Sequence, residues 1–175
     1  MGVLRIAGIE IPSGSPVFVA IVAIHVPIGL LAVVSGVGAM FTEKRRGAHT
    51  KCGSVYFWSL GALFATSTAL AAMRWSEDYH LFPLGALAFA AALIGRETRR
   101  RRWASAIDFH VVGMGVSYIA MLTAFYVDNG KNLPIWRNLP NLAYWLVPSA
   151  FGLPLIVRAL RRGPKIAIYA ERGAQ

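Results

Sequence analysis

Charge and cysteine are both scarce in this sequence. Asp, Glu, Lys and Arg make up 15% of its 175 residues, against about 25% in ordinary soluble domains, and only 8 of them are acidic. The one cysteine, Cys52, excludes an intrachain disulfide, and without a Cys-x-x-Cys-His site any haem here is held non-covalently. No Walker-type phosphate loop, zincin helix or serine, histidine and aspartate order is present. The stretches between hydrophobic blocks are each shorter than about 20 residues, too short for an inserted soluble catalytic domain. The chemistry of the chain is therefore sought among its hydrophobic segments and at their ends.

Hydrophobic residues, 56% of the chain, gather into blocks of near-continuous Ala, Leu, Val, Ile, Phe and Gly instead of recurring at a helical or strand period. Five blocks stand out, at about 16–41, 53–73, 80–95, 104–127 and 142–160. A hydrocarbon layer of roughly 30 Å takes about 20 residues of helix to cross. The pattern predicts an all-α fold: an integral membrane bundle of five transmembrane helices forming one domain over 16–162, with a short external segment at 1–15 and a cytoplasmic tail at 163–175. The third block is short, so it must borrow polar residues from Ser76 onward or cross where its neighbours thin the bilayer. The first block is too long for a cleaved signal and lacks a strongly basic start. Between 128 and 141, Asn-Gly and two Leu-Pro steps suggest an ordered cap, with Trp136, Tyr144 and Trp145 settling at headgroup level. Pro148 and Pro154 predict a bend in the fifth helix.

Basic residues near helix ends are retained in the cytoplasm far more often than they are translocated. The first loop holds Lys44, Arg45, Arg46 and Lys51, the third Arg96 and 99–102, and the tail Arg158, Arg161, Arg162, Lys165 and Arg172: fourteen of the 18 basic residues. Only Arg5, Arg74, Lys131 and Arg137 fall on the other side. The N-terminus is thus predicted outside and the C-terminus inside a bacterial inner membrane, as a multi-pass protein. The net charge of +10 is explained by topology and attraction to anionic headgroups, so no nucleic-acid partner is expected.

Each of the 4 histidines falls in or at the start of a different hydrophobic block: His25, His49, His80 and His110. With the predicted orientation, His25 lies roughly 13 Å along its helix from Pro16 at about 1.5 Å per residue, in the outer half, and His80 begins helix three at the outer face. His49 stands at the cytoplasmic entrance of helix two and His110 just inside that of helix four. A glycine follows each within three to five residues: Gly29, Gly53, Gly85 and Gly113. Imidazoles in an apolar pocket, with a missing side chain about one turn along, suit non-covalent haem. The candidate ligands are therefore His25 with His80 for an outer haem b and His49 with His110 for an inner one. The plainer reading is that glycines pack helices and that the histidines are satisfied structural groups. His25 is set apart by its depth, since an ionisable residue inside an apolar span marks a functional site by default. Asp108 is read as a helix cap or an imidazole partner, Met114 as core filler or an axial thioether, Ser117 and Tyr118 as packing, and Glu77 and Asp78 as solvated.

His25 with Gly29, RRGAHTKCGSVYFW at 45–58, SEDYHLF at 76–82 and HVVGMGVSYIAMLTAFYVDNG at 110–130 followed by LPIW resemble bacterial membrane proteins of the domain of unknown function 2306 family. That family's arginine after the second-span histidine is Thr50 here, and the resemblance implies no activity. The alternate-helix histidines look like the arrangement in dihaem transmembrane cytochromes b reduced by ascorbate, which implies ligand roles for the four histidines. Two functions follow as expectations. One is a b-type cytochrome-like protein moving electrons between a quinol or small redox partner and an acceptor. The other is a cofactor-free membrane subunit or scaffold that meets a membrane-protein partner or a second copy of itself.

The orientation has a direct check. A reporter fused after Gln175 should read cytoplasmic and a tag before Met1 should be reachable from outside; the opposite labelling would overturn the argument from basic residues.

Overall fold

The computed structural model describes residues 3–6, 9–12, 15–43, 47–101 and 105–172. Lys44, Arg45, Arg46 and Arg102 of the basic loops, and 173–175 of the tail, lie outside the described residues. The elements are strands β1 (Val3–Ile6) and β2 (Ile9–Pro12), and helices α1 (Pro16–Phe41), α2 (Ala48–Met73), α3 (Trp75–Asp78), α4 (Leu81–Arg100), α5 (Ala106–Asn129) and α6 (Asn141–Arg172). Short 3-10 turns at Gly130–Asn132 and Trp136–Asn138 join α5 to α6. Five of the helices are long and apolar enough to cross a membrane. The fold is all-α; in the N-terminal segment β1 and β2 form a short antiparallel hairpin with Arg5 opposite Glu10.

Local chemistry sets the boundaries. Ser15 Oγ accepts from the Val17 amide at 3.1 Å, and Pro16 occupies the first helical position, where its missing N–H costs nothing. Gly47, at φ 129°, supplies the turn into α2 that a side chain would resist. The third span does not extend back to Ser76 as one helix: α4 begins at Leu81, with Pro83 in its first turn, where a missing N–H is tolerated. Instead α3 closes as a single turn in which Arg74 pairs with Glu77 and, at 3.9 Å, with Asp78. Helix α4 gains its length at the opposite end, through Arg96 to Arg100, where Arg101 Nε donates to Glu97 Oε1 at 2.7 Å. Helix α6 runs uninterrupted through Pro148 and Pro154.

By its internal contacts the chain divides into two compact units, Met1–Ala86 with Lys131–Arg137, and Leu87–Gly130 with Asn138–Gln175. In the first, α1 and α2 are an antiparallel pair whose contacts keep one register. The Arg74 guanidinium lies 5.6 Å from the Phe18 ring centroid, His25 meets Thr66, Gly29 faces Leu63 and Gly38 faces Cys52. Phe64 and Ser67 of α2 cover Gly85 at the start of α4. In the second unit, a β-carbon at Gly113 would lie 2.6 Å from the Ala91 carbonyl oxygen and 2.8 Å from Gly95 Cα, so α4 and α5 touch backbone to backbone. Helices α5 and α6 interlock reciprocally: Gly115 receives Ile156, Gly152 receives Ile119, and Gly130 receives the Tyr144 ring.

Small residues fill many of the contacts beside a few large ones such as Tyr56 and Leu60, while many large apolar side chains point away. Ala32, Ala92 and Ser117 are fully buried at 0%, whereas Leu30, Val34 and Phe151 are exposed at 64%, 68% and 73%. Lipid gives no hydrophobic reward for burying leucine, so close backbone approach between small residues drives association. The hydroxyls are satisfied within their own helices: Ser35 bonds Leu31 O at 2.6 Å, Thr98 bonds Ile94 O at 2.9 Å and Thr123 bonds Ile119 O at 2.9 Å.

Two glycine substitutions should therefore diverge. Gly113→Ala forces two backbones apart and should cost about 1–3 kcal/mol, as overpacking does. Gly53→Ala, with nothing within 4 Å of the added carbon, should be neutral or slightly stabilising through helix propensity. Thermal unfolding in detergent reads both, and equal effects would refute the α4–α5 contact.

Candidate functional site

The four histidines each start from a helix position fixed by the boundaries above, and three of them make the same kind of bond. His49 Nδ1–H donates to the Ala39 carbonyl at 2.9 Å, tying the start of α2 to the end of α1. His110 Nδ1–H donates to the Gly95 carbonyl at 3.0 Å, tying α5 to α4. His25 Nδ1 lies 2.8 Å from Thr66 Oγ1. The Thr66 hydroxyl has one proton and three acceptors in reach, the Ala62 and Leu63 carbonyls at 2.9 and 3.1 Å and His25 Nδ1 itself, so its bond with His25 forms in either direction. A carbonyl accepts only, so His49 and His110 carry a hydrogen on Nδ1.

That arrangement has a chemical consequence. A ring whose Nδ1 is engaged by a carbonyl or hydroxyl is oriented; ligating histidines in metal proteins are supported in this way. His80 lies between α3 and α4, with its ring edge-to-face against Tyr79 at a centroid separation of 5.8 Å. His25 and His80 belong to the first unit, as does His49; His110 belongs to the second. No cluster of three or more His, Cys, Asp or Glu side chains suited to a metal ion occurs among the described residues. A site here would draw on one or two imidazoles, as haem iron does.

The four glycines do not share one environment. Gly53 has open space beside it. A β-carbon at Gly29 would make an ordinary 3.7 Å contact with Leu63, while one at Gly85 would lie 3.0 Å from Phe64. The space beside Gly113 is taken by the backbone of α4. Helix packing thus occupies the gaps at Gly85 and Gly113, and a flat ring beside His80 or His110 would have to approach from another side. Of the remaining candidates, Ser117 is fully buried and bonds Met114 O at 2.8 Å. Asp108 is exposed in the first turn of α5. Glu77 and Asp78 pair with Arg74. Cys52 packs beside Gly38, where a β-carbon would lie 3.1 Å from its sulfur.

Thr66 was not singled out from the sequence. The signal was present, since Thr66, Ser67 and Thr68 make a polar island within an apolar span, but only the register of α1 on α2 identifies which of the three faces His25. Thr66→Val should cost about 0.6–1.5 kcal/mol of stability, and Thr66→Ser should restore most of it. Unfolding in detergent measures both, and a neutral Thr66→Val would remove the bond from the account.

No family model, curated protein or solved structure matches this chain.

Proposed function

We propose that this chain is a multi-pass membrane protein of the b-type cytochrome kind, with His25 an axial ligand to haem through Nε2. The observation that carries the reading is the bond from His25 to Thr66. It holds an oriented imidazole within an apolar span, ten residues into α1. His80, in the same unit, is the partner for the second axial position. His49 and His110 are oriented through Nδ1 by carbonyls, and each is a candidate ligand within its own unit for a second haem. The donor set fits: haem needs imidazole nitrogen and a dry surround. Haem bound there would supply one-electron chemistry at a potential set by its axial ligands and their hydrogen bonds.

The residues of the chain divide the remaining work. Thr66 orients His25. The exposed apolar side chains of α1, Val26 and Leu30 among them, exclude water from this depth. Trp75, Phe82 and Phe64 form a run of aromatic contacts at centroid separations of 6.5 and 6.0 Å beside His80, and make the surface on which a quinol or other small reductant would rest. The basic loops orient the protein with its N-terminus outside and its C-terminus in the cytoplasm, in a bacterial inner membrane.

A second reading has its own observation. The gaps at Gly85 and Gly113 are filled by protein and the three bonded histidines clip neighbouring helices together, as a cofactor-free membrane subunit or scaffold would need.

Bound haem counted per chain separates the two. If His25 and His80 share one iron, His25→Ala and His80→Ala should each remove the same haem and the double variant little more, because groups acting as a unit lose non-additively. Additive losses of stability with unchanged pigment would support the clip reading instead.

A further inference from the structure

The end of the second unit where α4 finishes carries a charge pattern that serves orientation in the reading above and whose individual arginines have no assigned contact there. Helix α4 ends at Arg100 and α5 begins at Ala106, so both termini meet there, and α6, antiparallel to α5 through Gly115–Ile156 and Gly152–Ile119, brings its later turns to the same end. Arg99 lies four residues beyond Gly95, and Arg161 five beyond Ile156. At about 1.5 Å per residue each guanidinium-bearing position sits roughly 6–8 Å past the inter-helix contact on its own helix. Arg158 lies one turn earlier. Among the described residues this end holds Arg96, Arg99, Arg100, Arg101, Arg158 and Arg161 against two carboxylates, Glu97 and Asp108. Glu97 engages Arg101 and, at 3.9 Å, Arg100. Arg99, Arg158 and Arg161 have no carboxylate partner among the described residues.

Immediately before these arginines the same helices present apolar side chains outward: Leu93 and Ile94 on α4, Leu155 and Val157 on α6, and Ile107 and Phe109 at the start of α5, all exposed. Charge and apolar surface thus lie in the order in which a phospholipid presents a phosphate and its acyl chains. We propose that this end of the second unit binds anionic phospholipid headgroups, with Arg99, Arg158 and Arg161 contacting phosphate. Guanidinium groups bond phosphate oxygens bidentately, and their long stems let Arg158 and Arg161 lie along apolar surface while reaching the headgroup layer. The exposed apolar side chains beside the cations favour a lipid over free phosphate, which has no use for them.

The test uses the full chain purified in detergent and titrated separately with dioleoyl phosphatidylglycerol, dioleoyl phosphatidylcholine or inorganic phosphate. Thermal unfolding midpoints and lipids retained in native mass spectrometry are the readouts. A ligand that binds the folded state raises the midpoint, so phosphatidylglycerol should raise it and be retained, while the other two should do neither. An arginine near an anionic headgroup layer contributes about fivefold in affinity, so Arg158→Gln with Arg161→Gln should weaken phosphatidylglycerol binding about thirtyfold. Equal responses to both lipids, a response to inorganic phosphate matching that to phosphatidylglycerol, or full binding by the double variant would overturn the proposal. Should the double variant not fold, Arg99→Gln decides: about fivefold weaker binding supports the site and unchanged binding refutes it.

Discussion

Every polar group inside an apolar span must find its partner within the protein, and this constraint organises the described structure. Lipid offers no hydrogen bond, so each unsatisfied group there costs several times what it would at a wet surface. The serines and threonines answer it locally, returning their protons to carbonyls three or four residues back. Histidine cannot do so, because its ring is too large and rigid to fold onto its own helix. His25, His49 and His110 reach instead to the neighbouring helix, and each bond then fixes how two helices sit. The polar group is what makes the packing specific, and the small residues are what make it close.

The same constraint explains what could be read from the sequence. The limits of α1 were legible because Ser15 and Pro16 announce its start and the apolar run stops at Phe41. The third span was legible as a span but not in extent. Hydropathy follows contact with lipid, whereas the helix follows backbone bonding, so α4 continues through Arg96, Glu97 and Arg99 after the apolar run has ended. On its other side α4 begins only at Leu81, and the residues from Trp75 to Asp78 close a separate turn. The hairpin of β1 and β2 was missed because an alternating segment of this kind reads equally as a strand or as a chain lying on the membrane surface.

For the site, the depths of the histidines were visible and their partners were not. Thr66 and the carbonyls of Ala39 and Gly95 are distant in sequence, and only the register of one helix against the next selects them. The glycines teach the same lesson. Gly53 and Gly113 occupy matching places after a histidine in the sequence, yet one has open space beside it and the other meets the backbone of α4. Spacing along one helix states where a side chain is missing; the facing helix decides what fills the gap. Bonds that orient an imidazole for an iron also bind helices together, so the histidine geometry serves either a redox protein or a structural subunit until the cofactor itself is sought.

The measurement that addresses this most directly is the oxidised and dithionite-reduced absorption spectrum of the full chain purified in detergent from haem-sufficient cells. The account predicts the sharp reduced bands of a bis-histidine b-type haem. A correctly folded preparation with no visible absorption in either state would contradict it.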